Sequence, residues 1–280
     1  MDLLIEKAEA STRLSYLGFY NIDIEDGSPS SEVGRRTVKG RSGYILDGVT
    51  FVQKTIKVTG RLVVAGQRAF MEKRDELNGW FMDDEAFYIA KMVPSSERLY
   101  DFELPGRKTG ELDLKGIAHE PWKYRYKVVC DGAIDFSFLG RSSQGLKYNV
   151  SFQFVTAELP YGETRPKDIA VSSGTIAYSG TAPLSQLEWP FKVELTSNGG
   201  QSSFFLEIGG RRFTYNYGVA LQAGDKLMLS GVETTLKNVN VNNRTNYEYF
   251  VLRPTPTKKI PYTTNFSGSI RLLNFVELYK

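Results

Sequence analysis

The chain has 280 residues, 41% of them hydrophobic and 24% charged, which accommodates two ordinary domains or one large all-β fold and excludes wholesale disorder. Its 35 basic and 32 acidic side chains leave a net charge of +3, too little over this length for a general nucleic-acid or membrane-surface binder. One cysteine, Cys130, excludes an internal disulfide, and one histidine, His119, leaves imidazole catalysis and His-rich metal sites almost no material.

Met1 to Glu9 carries acidic residues and no long apolar core, so no secretory signal is expected there. No stretch reaches the ~20 apolar residues of a membrane span. The expectation is a soluble product folded in the cytoplasm without cofactors.

Strand-like runs are predicted at Tyr16 to Ile24 and Gly43 to Asp47, followed by a longer one from Phe51 to Val64. In that run Val52, Ile56, Val58, Leu62 and Val64 share one face, and Phe51, Gln53, Thr55, Lys57, Thr59 and Arg61 the other. At Ala65 the period changes. From there to Phe81, the residues Phe70, Leu77, Trp80 and Phe81 recur at helical spacing, which predicts one helix over about 65–81 with those four on its scaffold-facing side. Further strands are expected at Ala86 to Met92, Leu99 to Leu104, Gly110 to Ile117, Tyr124 to Cys130 and Leu146 to Thr156. The last two alternate cleanly: Tyr124, Tyr126, Val128 and Cys130 on one dry face, and Tyr148, Val150, Phe152 and Phe154 on another.

Pro160, Gly162 and Pro166 interrupt a stretch of mixed charge with little periodicity, the composition of a connection between folded units. The expected domains are 1–160 and 171–280 with a linker over 161–170. Beyond it come strand candidates Pro190 to Thr196, Ser203 to Ile208, Arg211 to Tyr217, Lys226 to Ser230, Thr235 to Val241, Tyr247 to Arg253 and Ser269 to Tyr279. Short strands with regular turn signals are the pattern of a β-sandwich, and no helix is expected after Phe81.

His119 lies in the turn-like run Ala118, His119, Glu120, Pro121 and reads as a solvated loop residue. Cys130 reads as a small core residue, Asp83, Asp84 and Glu85 as a solvated turn lacking calcium-loop spacing, and Gly209 and Gly210 as a hairpin turn. No catalytic, cofactor or metal residues are assigned, although a carboxylate pair for glycoside hydrolysis is defined in space rather than in sequence and stays open among 32 acids. Arg35, Arg36, Lys39 and Arg41 form a basic loop suited to a neighbouring subunit or a phosphate backbone. Trp189, Phe191, Tyr215 and Tyr217 are core aromatics or, in the alternative of a carbohydrate-binding module, a sugar-stacking set with Trp189 as its contact.

Four segments, in this order, resemble the distal tail proteins (Dit) of siphophages that infect Gram-positive bacteria. They are Val38 to Gly43, with Ser42 where that family more often has Asp; the strand and helix from Phe51 to Phe81; Tyr148 to Gly162 with Pro160 and Tyr161; and Gly180, Thr181, Ala182, Pro183 leading to Trp189 and Pro190. The region from Ile260 through Pro261 and Tyr262 to Asn265 and Gly268 fits a family turn only loosely.

The resemblance implies a mainly β protein, with an N-terminal tail-tube-like β-sandwich carrying one helix and a C-terminal galectin-like β-sandwich. It implies a structural, non-enzymatic protein of the virion tail tip, assembled in the host cytoplasm. It also implies a homo-hexameric ring, possibly stacked, that contacts the major tail tube protein, the tail-associated hub and receptor-binding or other baseplate proteins. DNA would pass through its channel without specific binding, and Arg35, Arg36, Lys39 and Arg41 would then lie at a subunit contact or in the lumen.

Overall fold

The computed structural model describes residues 1–95, 118–216 and 220–280. The chain divides into two compact units, Met1–Gly162 and Glu163–Lys280. Two expected strands, Leu99 to Leu104 and Gly110 to Ile117, lie outside the described residues, as does Tyr217.

The first unit contains β1 (Asp2–Glu6), β2 (Ser11–Arg13), β3 (Tyr20–Asp26), β4 (Ser30–Arg36), β5 (Ile45–Gln53), β6 (Thr55–Val64), α1 (Gln67–Phe81), β7 (Phe87–Pro94), β8 (His119–Pro121), β9 (Tyr126–Cys130), β10 (Asp135–Ser142) and β11 (Gly145–Thr156). Nine of these strands form one antiparallel sheet in the order β2-β1-β7-β9-β11-β6-β3, with β8 beside β7 and β10 beside β11; among the described residues β4 and β5 pair only with each other. Its centre is the long β6–β11 ladder from Thr55↔Val155 to Val64↔Leu146. Ile56, Val58, Leu62 and Val64 meet Tyr148, Val150, Phe152 and Phe154 on the buried face, and Lys57, Thr59, Arg61, Asn149, Ser151 and Gln153 lie on the other.

Helix α1 covers that buried face. Phe70 stacks on Tyr148 at 4.2 Å, Phe81 stacks on Phe152 at 4.7 Å, and Leu77 and Phe81 are fully buried. Trp80 is half-buried, with the Lys7 ammonium 5.9 Å from its ring centre. Outward-facing pairs Arg68–Glu72 and Lys73–Glu76 give the helix its wet side. The helix ends where Met82 N–H bonds to Asn78 O, and Asp83 then accepts the Lys7 ammonium at 2.6 Å.

Several expectations for this unit are corrected. The run from Phe51 to Val64 is two strands, not one: Lys54 breaks it, Phe51–Gln53 belongs to the β4–β5 hairpin, and Val52 is exposed rather than on a dry face. The strand expected from Tyr16 to Ile24 is β3 and starts at Tyr20, because Leu14 to Phe19 form a turn through Gly18 at φ +93° that buries Leu14, Leu17 and Phe19. His119 is a buried residue of β8, not a solvated loop residue; its strand pairs with Val93 and Pro94 at the sheet's margin. Arg35 and Arg36 stand on strand β4, and only Lys39 and Arg41 occupy a turn.

At the division lies the two-residue β12 (Gly162–Glu163). The second unit then contains β13 (Lys167–Val171), β14 (Thr175–Ala177), β15 (Leu184–Ser185), β16 (Lys192–Ser197), β17 (Phe204–Ile208), β18 (Arg211–Tyr215), β19 (Lys226–Leu229), β20 (Thr234–Leu236), β21 (Val239–Asn240), β22 (Val251–Leu252), β23 (Lys259–Thr264), β24 (Gly268–Phe275) and β25 (Leu278–Tyr279). A six-stranded sheet, β13-β24-β16-β19-β20-β21, and a four-stranded sheet, β14-β23-β17-β18, are both antiparallel. Alternate residues of each are buried: Val193, Leu195, Leu227, Leu229, Ile270 and Leu272 in one, Phe204, Leu206, Ile208, Phe213, Tyr215 and Ile260 in the other. That is the period-2 pattern of a sandwich.

Gly209 and Gly210, at φ +57° and +83°, make the β17–β18 hairpin turn. The expected strand from Thr235 to Val241 is instead a hairpin turning at Lys237 and Asn238, both at positive φ, and of Tyr247 to Arg253 only Val251–Leu252 is strand.

Candidate assembly surface

Nothing among the described residues groups three or more metal-ligating side chains. Cys130 is half-buried; burial, helped by the Asp131 carboxylate, raises its thiol pKa, the opposite of an activated nucleophile. A shallow depression of about 390 Å³ on the polar side of β6 and β11 holds Lys57, Asp131, Asp135 and Gln153, with Gln153 Nε2 donating to Asp131 Oδ2 at 2.8 Å. It is lined by a sheet face rather than by convergent reactive groups.

The first unit's unusual feature is the β4–β5 hairpin. Every residue of β4 is exposed, and the arm nevertheless carries Val33, Tyr44, Leu46, Val49 and Val52, each between 40% and 58% exposed. Val33 sits directly opposite Val49, so the ribbon has an apolar strip of its own. A two-stranded hairpin is marginal alone in water, and such a strip calls for a covering surface.

The four basic residues lie at the far end of this arm. The Arg35 guanidinium stands 4.5 Å over the Tyr44 ring, Arg36 is 4.0 Å from Asp47, and Lys39 and Arg41 are exposed at the tip. The structure thus groups Arg35, Arg36, Lys39 and Arg41 on one projecting element.

The arm continues β3 and β6 past a joint. The last rung of the β3–β6 pair is Asp26↔Ile56, and the first rung of the arm is Ser30↔Gln53. At the joint Asp26 accepts from Lys91 Nζ at 2.5 Å and from the Tyr126 hydroxyl at 3.2 Å. Lys54 is buried there, its main chain bonded both ways to Thr156 (3.1 and 3.0 Å) and its ammonium 5.0 Å from the Tyr126 ring centre. Burial lowers the Lys54 pKa against the pull of Asp26, and it raises that of Tyr126 far above the phenol range. No site is assigned to this polar joint from the sequence.

Two sheet margins frame the arm's base. Among the described residues β3 pairs only with β6, and β10 only with β11. The ribbon β10-β11-β6-β3 is therefore antiparallel throughout, with an open strand on each side.

In the second unit Trp189 is half-buried, its indole N–H donating to Asn274 O at 2.9 Å, while Phe191 and Tyr215 are fully buried. The latter two are core residues.

A family model described as phage tail protein RIFT-related domain matches residues 11–153. The chain belongs to this phage tail protein family. Over its whole length it also has the fold of the SPP1 Dit protein (gp 19.1), whose structure is described as a paradigm of the hub adsorption apparatus in phages infecting Gram-positive bacteria. The two agree with a TM-score of 0.65 at 10% identity, each covered in full. Two baseplate structures of phage p2, in activated conformations with Ca and with Sr, match at TM-scores of 0.36 and 0.37 and 7% identity, over 100% and 97% of this chain and 97% and 96% of theirs. No curated protein matches. The resemblance to distal tail proteins read from the sequence and the mainly β fold observed here point the same way, to a structural part of a phage tail that works among other tail proteins.

Proposed function

We propose that the chain is a distal tail protein that closes head to tail into a hexameric ring at the tail tip. The ring joins the tail tube to the hub and to receptor-binding or other baseplate proteins, and DNA passes through it. The observation that carries this reading is the four-stranded ribbon β10-β11-β6-β3 with an open strand at each margin.

Because the ribbon has an even number of alternating strands, β3 of one copy and β10 of the next run in opposite directions, and antiparallel pairing continues from copy to copy. Repeating a heterologous contact closes a ring and removes both edges. Six copies set roughly 24 strands side by side at ~4.8 Å, a barrel about 45 Å across its backbone once strand tilt is included.

The bore is lined by the polar side of the ribbon. Lys57, Arg61 and Lys147 stand there beside Asp23, Glu25 and Asp135, a balance of sign that suits a channel through which DNA slides without being held. The β4–β5 arm lays its apolar strip on the adjacent copy, with Arg35, Arg36, Lys39 and Arg41 reaching the contact.

Light scattering on the purified protein tests this. A ring, or an oligomer whose mass grows with concentration, is expected for the intact chain, and a monomer for a variant in which residues 31–51 are replaced by a short turn. Identical masses for the two would remove the arm from the account.

A further inference from the structure

The two open sides of the second unit's sandwich are finished differently. Beside β18 the side is laced shut. Asn246 Oδ1 accepts from Thr214 N–H at 2.9 Å and Asn246 Nδ2 donates to Arg212 O at 2.7 Å, so one side chain takes the place of a neighbouring strand. Asn216 N–H bonds to Arg244 O at 2.9 Å, and Tyr215 bridges Thr245.

Beside β14 nothing comparable is present among the described residues. Tyr262 N–H bonds to Gly174 O and Tyr178 N–H to Lys258 O, so residues 174, 176 and 178 face β23. By the alternation of an antiparallel pair, the N–H and C=O of Thr175 and Ala177 point the other way. They point into a cleft of about 360 Å³ between β13 and β14, lined by Ile169, Val171, Thr175, Ala177 and Phe275, with Lys167 and Lys259 beside it. The one carboxylate there, Glu277, is already engaged, accepting from Ser179 N–H and from the Tyr279 hydroxyl, both at 2.9 Å. What the cleft offers is a short unpaired strand edge, apolar walls and two exposed ammonium groups.

We propose that this cleft is a strand-addition site, in which an extended segment of another tail protein, carrying acidic residues, pairs with β14 at Thr175 and Ala177. Main-chain bonds to those two residues supply the pairing, alternate side chains of the guest enter the apolar walls, and Lys167 and Lys259 select for carboxylates. A natural sheet blunts an edge it does not use; here one edge is blunted by Asn246 and the other is left open. The inference rests on the tail-tip reading and names where the second unit takes its cargo.

The test uses assembled phage particles with a benzophenone amino acid in place of Ala177, and a control with it in place of Thr214. Irradiation is expected to join position 177, and not position 214, to a different virion protein at an extended segment containing Asp or Glu. Charge reversal by Lys167→Glu with Lys259→Glu should cut that product at least tenfold while the particles keep the same amount of this chain. Equal cross-linking at both positions, a product only with further copies of this chain, or no loss on charge reversal would each overturn the proposal. Particles that lack the chain altogether would instead sink the tail-tip reading, and this inference with it.

Discussion

Gly60 lies against the ring of Phe19, so that a Cβ on residue 60 would stand 2.8 Å from Phe19 Cδ1. Gly60 is the middle of the β6–β11 ladder, opposite Val150, and Phe19 is itself buried and meets Phe152 edge-on at 6.1 Å. Gly60→Val therefore overpacks the centre of the first unit. A loss of about 1–3 kcal/mol is expected, read as a lower urea midpoint with an unchanged slope.

The helix is held by its buried side, and the cost of truncation should follow burial. Leu77→Ala and Phe81→Ala each remove a fully buried side chain and should destabilise by about 3–5 kcal/mol. Trp80→Ala, at a half-buried position, should cost distinctly less. Equal losses at all three, measured by chemical denaturation, would contradict the packing described for α1.

The sequence was readable where a dry face ran along a long element, whereas β1, five residues with Leu3 and Ile5 buried, went unread. The alternation of β6 and β11 and the switch to helical spacing at α1 mark the core of the first unit, because each of those elements buries one side against Phe152, Phe154 or Leu77. Strand β4 escaped because it is exposed on both faces, so no period-2 pattern is imposed on it, and β10 because it is mostly exposed, with Phe136 half-buried against Phe70. Lys54 did leave a signal: it falls on the dry-face parity between Val52 and Ile56, and a charged residue there marks the joint where the arm begins. Asn246 left none, since an amide that caps a strand edge is one polar residue in a polar loop. The basic residues at the arm's end were visible, but only the hairpin shows that they share one projecting element.

Lys54 gives the first unit a pH dependence with a defined sign. Burial holds its folded-state pKa below the ordinary 10.5, so between those two values the unfolded chain binds more protons than the folded one. Stability from this group is lacking below the folded pKa and rises with pH toward 10.5. Lys54→Met should be more stable than the parent near neutrality and should lose that alkaline rise. Urea midpoints for both proteins from pH 7 upward check it; parallel pH profiles would show that Lys54 is not the titrating group.

Asn246→Ala should expose the β18 edge. Losing the two bonds to Thr214 and Arg212 should cost about 1 kcal/mol, because both main-chain groups then face water rather than being sealed in the core. The same change should make the protein associate through that edge at high concentration. Sedimentation that stays superimposable on the parent at every concentration would argue that Asn246 does not protect it.

The most direct measurement is negative-stain imaging of the purified chain, alone and mixed with the neighbouring tail proteins. Closed rings of six copies around a central hole are expected, with a mass near six times 31.5 kDa, lost when residues 31–51 are replaced by a short turn. Fields of single compact particles under every one of those conditions would contradict the proposed ring.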